Sequence, residues 1–377
     1  MSIPDVTLTT ACFDLSHIHQ YCRGHADIMN QFVPVLSIPC YMVIYTDDKL
    51  VDMIRIIRKH LQLSHLTRFV ITDIENLAFY KYVDMIKSNR ELYWPTRDQR
   101  TCAESHMICC NKFNFVLDTI KENPFQTTKF GWIDAFVSTN FQKVCEDYSV
   151  LKMLDILNNC YEKFHLQVMG ATEKRFKQSE YKREYYGCYR FLMSGCLFIT
   201  PKDIGIRILT RLNELFVENT RAGYGHAEEM LYLEVLDEFA EDIHKSYGDY
   251  GQLLNNFFYP TKNLDYIYQF IIERNMMYKN YKESYDCCKA VLYSIEKKGV
   301  SCSPCLYMCC LSAYFKSSLE LPDVDSSHIV EHIHSIYRTN KDIRDDINRN
   351  YDAYMTLFRK AKGNVEFVWY NNIIINK

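Results

Sequence analysis

The sequence predicts an α/β fold in which a mainly parallel sheet is flanked by helices and is followed by an α-helical C-terminal region. Through the first two thirds of the chain, short β-prone runs alternate with segments whose apolar residues recur at helical spacing. After about Phe258 the strand signals vanish and helical segments follow one another. We therefore expect one domain at residues 1–260 and a helical region at residues 261–377.

The strand and helix candidates follow from the period of their apolar residues. The predicted strands are Val6–Cys12 and residues 41–45, 67–72, 130–136, 167–171 and 197–200. The predicted helices are residues 50–60, 107–123 and 227–239, then 264–274, 281–297, 304–319 and 328–337. The pair at 281–297 and 304–319 is typical of a tetratricopeptide-type hairpin. We expect it to be a helical appendage and a possible surface for a protein partner.

Composition excludes several classes of function. The chain has 377 residues, a formal net charge of -3 and no strong basic excess, which disfavours a nucleic-acid or membrane-surface binder. No run reaches the roughly 18 apolar residues of a membrane span, and no signal peptide is recognisable, so we expect a cytoplasmic protein. The abundance of tyrosine, 29 residues, suits an AT-rich genome such as that of a large DNA virus, and hence a viral protein in host cytoplasm.

Cysteine and histidine groups raise the alternative of a metal protein. Several of the 16 cysteines are adjacent in the chain, which favours buried thiols over a disulfide framework. A zinc site is the alternative at Cys302, Cys305, Cys309 and Cys310, although structural zinc normally uses two spaced pairs. His328, His332 and His334 are better explained as a solvated helix face.

Two acidic segments follow predicted strands, where open α/β sheets bind ligands. Phe130-Gly131-Trp132-Ile133-Asp134 ends on a carboxylate, the kind of oxygen ligand that Mg²⁺ and similar cations prefer. In Tyr45-Thr46-Asp47-Asp48, Tyr45 or Asp47 could contact a nucleotide, whereas Asp48 suits a helix cap. Either Asp could equally be a turn or cap residue.

Two later segments complete the candidate site. Ser194-Gly195 precedes an apolar strand, where glycine allows the backbone to approach a ligand closely, or simply forms a turn. Glu228-Glu229 opens a predicted helix, where acidic side chains are favourable in any case. Their functional interpretation is a carboxylate that orients or deprotonates an acceptor hydroxyl.

The order of these segments resembles a known family. Thr7-Leu8-Thr9-Thr10-Ala11-Cys12-Phe13-Asp14 is similar to its opening strand, and Asn111-Lys112-Phe113 and the Trp-Ile-Asp core at 132–134 follow in the same order. The resemblance is to the HtrL/YibB-like family of GT-A-type glycosyltransferases and covers roughly residues 5–260. It implies a GT-A-like (Rossmann-like) fold, a nucleotide-sugar donor, expected to be a UDP-sugar, and a divalent metal, Mn²⁺ or Mg²⁺.

The resemblance also implies roles for individual residues. Asp134 matches the metal-binding aspartate of an Asp-X-Asp motif whose first position is Trp132 here. His244 and Asp249 are candidates for a further metal ligand that comes later in the chain. The remaining implied roles are Lys112 near the sugar or diphosphate, Thr9, Thr10 and Ala11 in the nucleotide pocket, Ser194 and Gly195 facing the donor sugar, and Glu228 and Glu229 on the acceptor side.

The sequence thus predicts a hexosyl- or pentosyltransferase whose acceptor is a glycan, a protein or a small molecule. The alternative is a catalytically inactive GT-A-like protein that serves in ligand binding or protein interaction. The absence of an acid at the position of Trp132 favours this alternative.

Overall fold

The computed structural model describes residues 3–18, 24–93, 101–137, 139–140, 143–144, 148–188, 190–225, 227–261 and 264–325, with scattered positions between 329 and 345. The chain forms two compact units. The first comprises Met1–Met169 and Arg175–Phe258, and the second comprises Gly170–Lys174 and Tyr259–Lys377.

The first unit is built on a seven-stranded sheet. Its strands are β1 (Val6–Cys12), β2 (Tyr41–Thr46), β3 (Thr67–Ile71), β4 (Lys129–Ile133), β7 (Phe164–Val168), β8 (Leu197–Pro201) and β9 (Ile243–Tyr247). Between β4 and β7 in the chain, β5 (Thr139–Asn140) and β6 (Lys143–Val144) form a separate two-stranded ribbon. The order across the sheet is β3-β2-β1-β4-β8-β7-β9.

Strand directions determine where a ligand site can form. The pairs β1–β2, β1–β4, β2–β3 and β7–β9 are parallel, while β8 is antiparallel to both β4 and β7. Within the seven-stranded sheet, every strand except β8 therefore runs in the same direction. The carboxyl ends of those six strands meet at one edge of the sheet. This mostly parallel sheet flanked by helices confirms the predicted α/β class.

Helices of the first unit connect the strands. They are α1 (His25–Leu36), α2 (Val51–His60), α3 (Val83–Tyr93), α4 (Ala103–Glu122), α5 (Val150–Asn159), α6 (Lys182–Tyr186), α7 (Lys202–Arg221) and α8 (Tyr232–Glu238). A 3-10 turn, Glu228–Leu231, leads directly into α8. No described helix is both long and apolar enough to cross a membrane.

Local chemistry explains several of these boundaries. The β-branched run of β1 favours a strand, and its residues are buried almost throughout. Helix α4 begins with a reciprocal capping box between Cys102 and Ser105 and ends at Asn123 in the left-handed conformation. Arg58 of α2 is fully buried and donates to the carbonyls of Leu36, Ile38 and Cys40, which satisfies acceptors near the end of α1.

The second unit is helical in its described part, as predicted. It contains α9 (Leu264–Met277), α10 (Tyr281–Lys298) and α11 (Pro304–Leu319), each packed on the other two. Cys287, Cys288 and Cys310 are completely buried between them, which suits thiols rather than a disulfide framework. The predicted tetratricopeptide-type hairpin corresponds to α10 and α11. Most of the predicted helix at 328–337, including His328 and His334, lies outside the described residues.

Candidate functional site

A buried lysine on α4 is the centre of the candidate site. Lys112 is only 1% exposed, and its ammonium donates to the Gly195 carbonyl at 2.9 Å, to Glu228 Oε1 at 2.8 Å and to Asp134 Oδ1 at 3.3 Å. An ammonium has three N–H donors, so all of them are engaged. Lys112, Asp134, Gly195 and Glu228 are called the lysine cluster below.

Asp134 reaches the cluster because it follows β4 directly, at the carboxyl edge of the sheet. Its backbone N–H donates to the Cys196 carbonyl at 2.9 Å, which ties it to the residues just before β8. Its side chain is 33% exposed, and its Oδ1 also accepts from the indole N–H of Trp132 at 2.5 Å. Asp134 is the member of the cluster that a ligand can reach most readily.

Gly195 and Glu228 close the cluster from the other side. A Cβ at Gly195 would lie 2.8 Å from Glu228 Oε1 and 3.2 Å from Lys112 Nζ, so only glycine fits without displacing them. Glu228 is 13% exposed, whereas the adjacent Glu229 is 5% exposed. Ser194 is buried and its N–H donates to the Gln167 carbonyl at 2.9 Å, which positions this turn against β7.

The cluster holds its charges in place electrostatically. Burial alone would disfavour the Lys112 ammonium, but Asp134 and Glu228 outweigh it and raise the pKa of Lys112 well above its ordinary range. Burial, followed by the charge of Asp134, raises the pKa of the Cys196 thiol, so that thiol stays protonated beside the cluster. Lys112 is therefore permanently cationic between two carboxylates.

A second polar group, of which the sequence analysis selected only Asp47, lies where β1 and β2 end. Asp14 is 5% exposed and accepts from the Ser16 N–H at 2.9 Å and from His25 Nε2 at 2.9 Å. Burial opposes ionisation of Asp14, but the bonds from Ser16 and His25 outweigh burial and hold its pKa well below the usual value. Asp47 accepts from the backbone N–H groups of Asp14 and of Lys49, so it joins the two loops.

Several residues predicted to line a nucleotide pocket lie in the interior. Thr9 and Thr10 are fully buried, and the Thr9 hydroxyl donates to Thr119 Oγ1 at 3.0 Å. The Tyr45 ring packs in a tilted arrangement against Phe115, with 4.4 Å between ring centroids. Ala11 lies in β1 opposite Tyr45 and is only partly buried. Both faces of β1 and β2 are covered, so Thr9, Thr10 and Tyr45 contribute to the core, and their contact with a nucleotide stays a prediction.

The two predicted late metal ligands are placed differently. His244 is the second residue of β9, at the amino end of the strand, while Asp134 follows the carboxyl end of β4. The His244 ring stacks on Tyr161 with 3.9 Å between centroids, so the structure does not bring His244 to Asp134. Asp249 follows β9 at the same edge as Asp134 and its side chain is exposed. Neighbouring protein atoms still exclude part of the water around its carboxyl group, and this desolvation raises its pKa.

Chemically, the site suits a cation shared with a ligand rather than one enclosed by protein. No group of three or more His, Cys, Asp or Glu side chains within the described ranges could hold a metal ion, and this includes Cys302, Cys305, Cys309 and Cys310. Mg²⁺ is often held by one or two carboxylates together with phosphate oxygens and water. Asp134 fits that arrangement, because its contacts with Trp132 and Lys112 both use Oδ1 and its side chain is partly exposed.

Comparison with known proteins gives one family and a larger set of solved structures, two of which are described below. Residues 4–155 match a family model described as a bacterial protein of unknown function, HtrL_YibB. Mouse xyloside xylosyltransferase 1 in its apo form is 9% identical, with 67% of this chain and 93% of that chain covered and a TM-score of 0.35. The galactosyltransferase LgtC with donor and acceptor sugar analogues is 8% identical, with 64% and 73% covered and a TM-score of 0.34. No curated protein matches the chain by sequence.

Proposed function

We propose that this protein is a glycosyltransferase that moves a sugar from a nucleoside-diphosphate donor to an acceptor hydroxyl with the help of a divalent cation. The observation that carries the proposal is the lysine cluster, in which a fully engaged ammonium fixes Asp134 and Glu228 beside Gly195. The cluster lies at the carboxyl edge of a mostly parallel sheet, where such folds bind their ligands. A UDP-sugar with Mn²⁺ or Mg²⁺ is the donor pair we expect.

Each residue has a distinct part in this proposal. Asp134 would hold the cation, which would supply positive charge where the leaving diphosphate develops its negative charge. Lys112 is a positioning residue, because its ammonium is buried and already bonded to three oxygens. Gly195 would allow the donor to approach the backbone, and its own carbonyl orients Lys112. Asp249, exposed at the same edge, is a further candidate ligand.

The transfer breaks the bond from the anomeric carbon to a phosphate oxygen, which keeps the electron pair. The acceptor oxygen then bonds to that carbon, which is oxocarbenium-like in the transition state, and the acceptor loses its proton. In an inverting reaction Glu228 or Glu229 would accept that proton, whereas in a retaining reaction the leaving phosphate would accept it. Glu228 is the more exposed of the two carboxylates and is the better placed to meet an acceptor.

A catalytically inactive binding protein is the second candidate. The observation that favours it is the engagement of Glu228 Oε1 by the Lys112 ammonium at 2.8 Å, which occupies one oxygen of the carboxylate that would act as the base. On this alternative the site binds a nucleotide or a nucleotide sugar but transfers nothing. The helical second unit would then be the surface for a protein partner.

A donor screen separates these functions. Purified protein is incubated with a panel of nucleotide sugars, with Mn²⁺ or with a chelator, and nucleotide release is followed alongside thermal stability. Mn²⁺-dependent release from at least one donor supports the transferase. Stabilisation by nucleotides without release supports the binding protein. A panel that gives neither release nor stabilisation contradicts both.

A further inference from the structure

Trp132 occupies the position where the resembled motif has its first acid, and its side chain is bonded to the second. Residues two apart in a strand point to the same face, so Trp132 in β4 and Asp134 just beyond it lie side by side. The indole N–H donates to Asp134 Oδ1 at 2.5 Å. A second carboxylate at this position would repel Asp134, whereas an N–H donor attracts it.

The indole ring is itself held firmly. Trp132 is 4% exposed and stacks on Phe115 of α4, with 6.1 Å between centroids and 14° between planes. Lys112 Nζ lies 5.3 Å from the ring centroid, within the range of a cation–π contact. A ring held by these two contacts gives its N–H a fixed direction, so the position of Asp134 Oδ1 is fixed as well.

Two of the donors to Asp134 bond the same oxygen. Trp132 Nε1 and Lys112 Nζ each contact Oδ1, which orients the carboxylate of a side chain that is 33% exposed and therefore accessible to an external ligand. Groups that bond a metal-binding carboxylate from behind commonly change metal affinity by about 10–100-fold when they are removed. Hydrogen bonds to an ionised acceptor are also stronger than neutral ones.

We propose that Trp132 is a positioning residue that orients Asp134 for a divalent cation bound together with a nucleoside diphosphate. Trp132 thereby replaces the missing acid of the motif by a hydrogen-bond donor, and the site functions with one protein carboxylate at this point. The inference rests on the proposed function, and it explains how a single aspartate could suffice.

The bond itself is tested by NMR of protein labelled with ¹⁵N at the tryptophan indole. The sequence has three tryptophans, so at most three indole N–H signals are expected, and Trp132→Phe identifies that of Trp132. A strong bond to a carboxylate moves this proton downfield, and Asp134→Ala should return it upfield by a clear margin. An unchanged Trp132 signal in Asp134→Ala would overturn the inference.

The positioning role is tested by calorimetry of Mn²⁺ binding in the presence of UDP. Trp132→Phe keeps a ring for Phe115 and Lys112 but removes the N–H, and we expect Mn²⁺ affinity to fall about 10-fold or more. Tyr148→Phe is the matched control, because it removes another aromatic donor, the partly buried hydroxyl that bonds the Pro34 carbonyl at 2.7 Å. We expect that control to bind Mn²⁺ and UDP as the parent does.

The outcomes separate the two proposals. Parent protein that binds Mn²⁺ with UDP, beside a Trp132→Phe variant that retains full affinity, would overturn the positioning role and leave the proposed function intact. Parent protein that binds neither UDP nor Mn²⁺ would overturn the proposed function and the positioning role with it. Melting temperatures of all variants identify a loss of affinity that comes from unfolding.

Discussion

Two groups of buried titratable side chains lie at opposite edges of the same sheet. The lysine cluster is at the carboxyl edge, where an ammonium meets two carboxylates. The histidine cluster is at the amino edge, where His165 and His244 face each other across β7 and β9 and pack among Tyr161, Phe257 and Phe258.

Burial has opposite results in the two clusters. In the lysine cluster, carboxylates outweigh burial and keep Lys112 charged. In the histidine cluster, burial lowers the pKa of His165 well below its ordinary value and the pKa of His244 to about 4, so both rings are neutral at pH 7. The comparison teaches that a buried side chain keeps its charge only where its partners compensate for burial, as two carboxylates do for Lys112. Aromatic rings around His165 and His244 offer no such compensation.

Removing the ammonium should have the largest effect. Lys112→Met leaves the buried parts of Asp134 and Glu228 without their partner, and losing one member of a buried ion pair costs about 3–5 kcal/mol. Urea unfolding measures this loss. Lys121→Met is the matched control on the same helix, because Lys121 is exposed and its pair with Asp118 should contribute about 0–1 kcal/mol. Equal losses in the two variants would contradict the account of the lysine cluster.

Filling the space at Gly195 should disturb the same cluster without removing a charge. Gly195→Ala places a methyl group 2.8 Å from Glu228 Oε1, and such crowding typically costs about 1–3 kcal/mol. We also expect weaker binding of UDP with Mn²⁺, measured by calorimetry. Gly251→Ala, where a Cβ would meet no atom within 4 Å, is the control and should change neither property. A Gly195→Ala variant with unchanged stability and unchanged binding of UDP and Mn²⁺ would contradict this prediction, because the cluster would then tolerate displacement of Glu228 and Lys112.

Lowering the pH should reduce the free energy of unfolding through the histidine cluster. This loss should be more gradual than the losses expected for the two variants above. The pKa of His244 is about 4 in the folded protein and about 6.5 when unfolded, so the unfolded chain binds more protons between these values. The stabilising contribution of neutral His244 is complete above pH 6.5 and declines as pH falls towards 4. One such group changes the free energy of unfolding by at most about 1.4 kcal/mol per pH unit.

The variant His244→Phe sharpens that prediction, because a phenyl ring can keep the stacking on Tyr161 and cannot be protonated. Urea unfolding at several pH values between 7 and 4 should show a shallower decline for this variant than for the parent. Identical slopes would contradict the prediction and assign the acid sensitivity to groups other than His244.

Patterns within a short stretch of sequence predicted much of the fold. The β-branched residues of β1 and the amphipathic face of α2 were sufficient to locate these elements. Strand β9, with the sequence Ile-His-Lys-Ser-Tyr, has no clear apolar alternation and forms through its pairing with β7. Helix α7 was not predicted, and neither was the antiparallel direction of β8, which depends on the whole sheet.

The candidate site was only partly predictable because its members are far apart in the chain. Asp134 and Glu228 were selected from local motifs and Lys112 from the family resemblance, but their shared bonding depends on the packing of α4 against β4 and on the turn before α8. The burial of Thr9 and Tyr45 could not be predicted from local sequence, because it depends on the covering of both faces of their strands. Asp14 was not selected, since its role depends on His25 and Asp47.

The most direct test of the central claim compares parent protein with Asp134→Asn on the best donor found in the screen. The amide keeps the size of the side chain but loses the charge that would hold the cation. The account predicts a fall in kcat/KM for Mn²⁺-dependent nucleotide release of about 100-fold or more, equivalent to losing roughly 3 kcal/mol of transition-state stabilisation. Asp52→Asn, on the exposed face of α2, should leave release unchanged. Undiminished release by a folded Asp134→Asn would contradict the assignment of Asp134 to the cation and diphosphate.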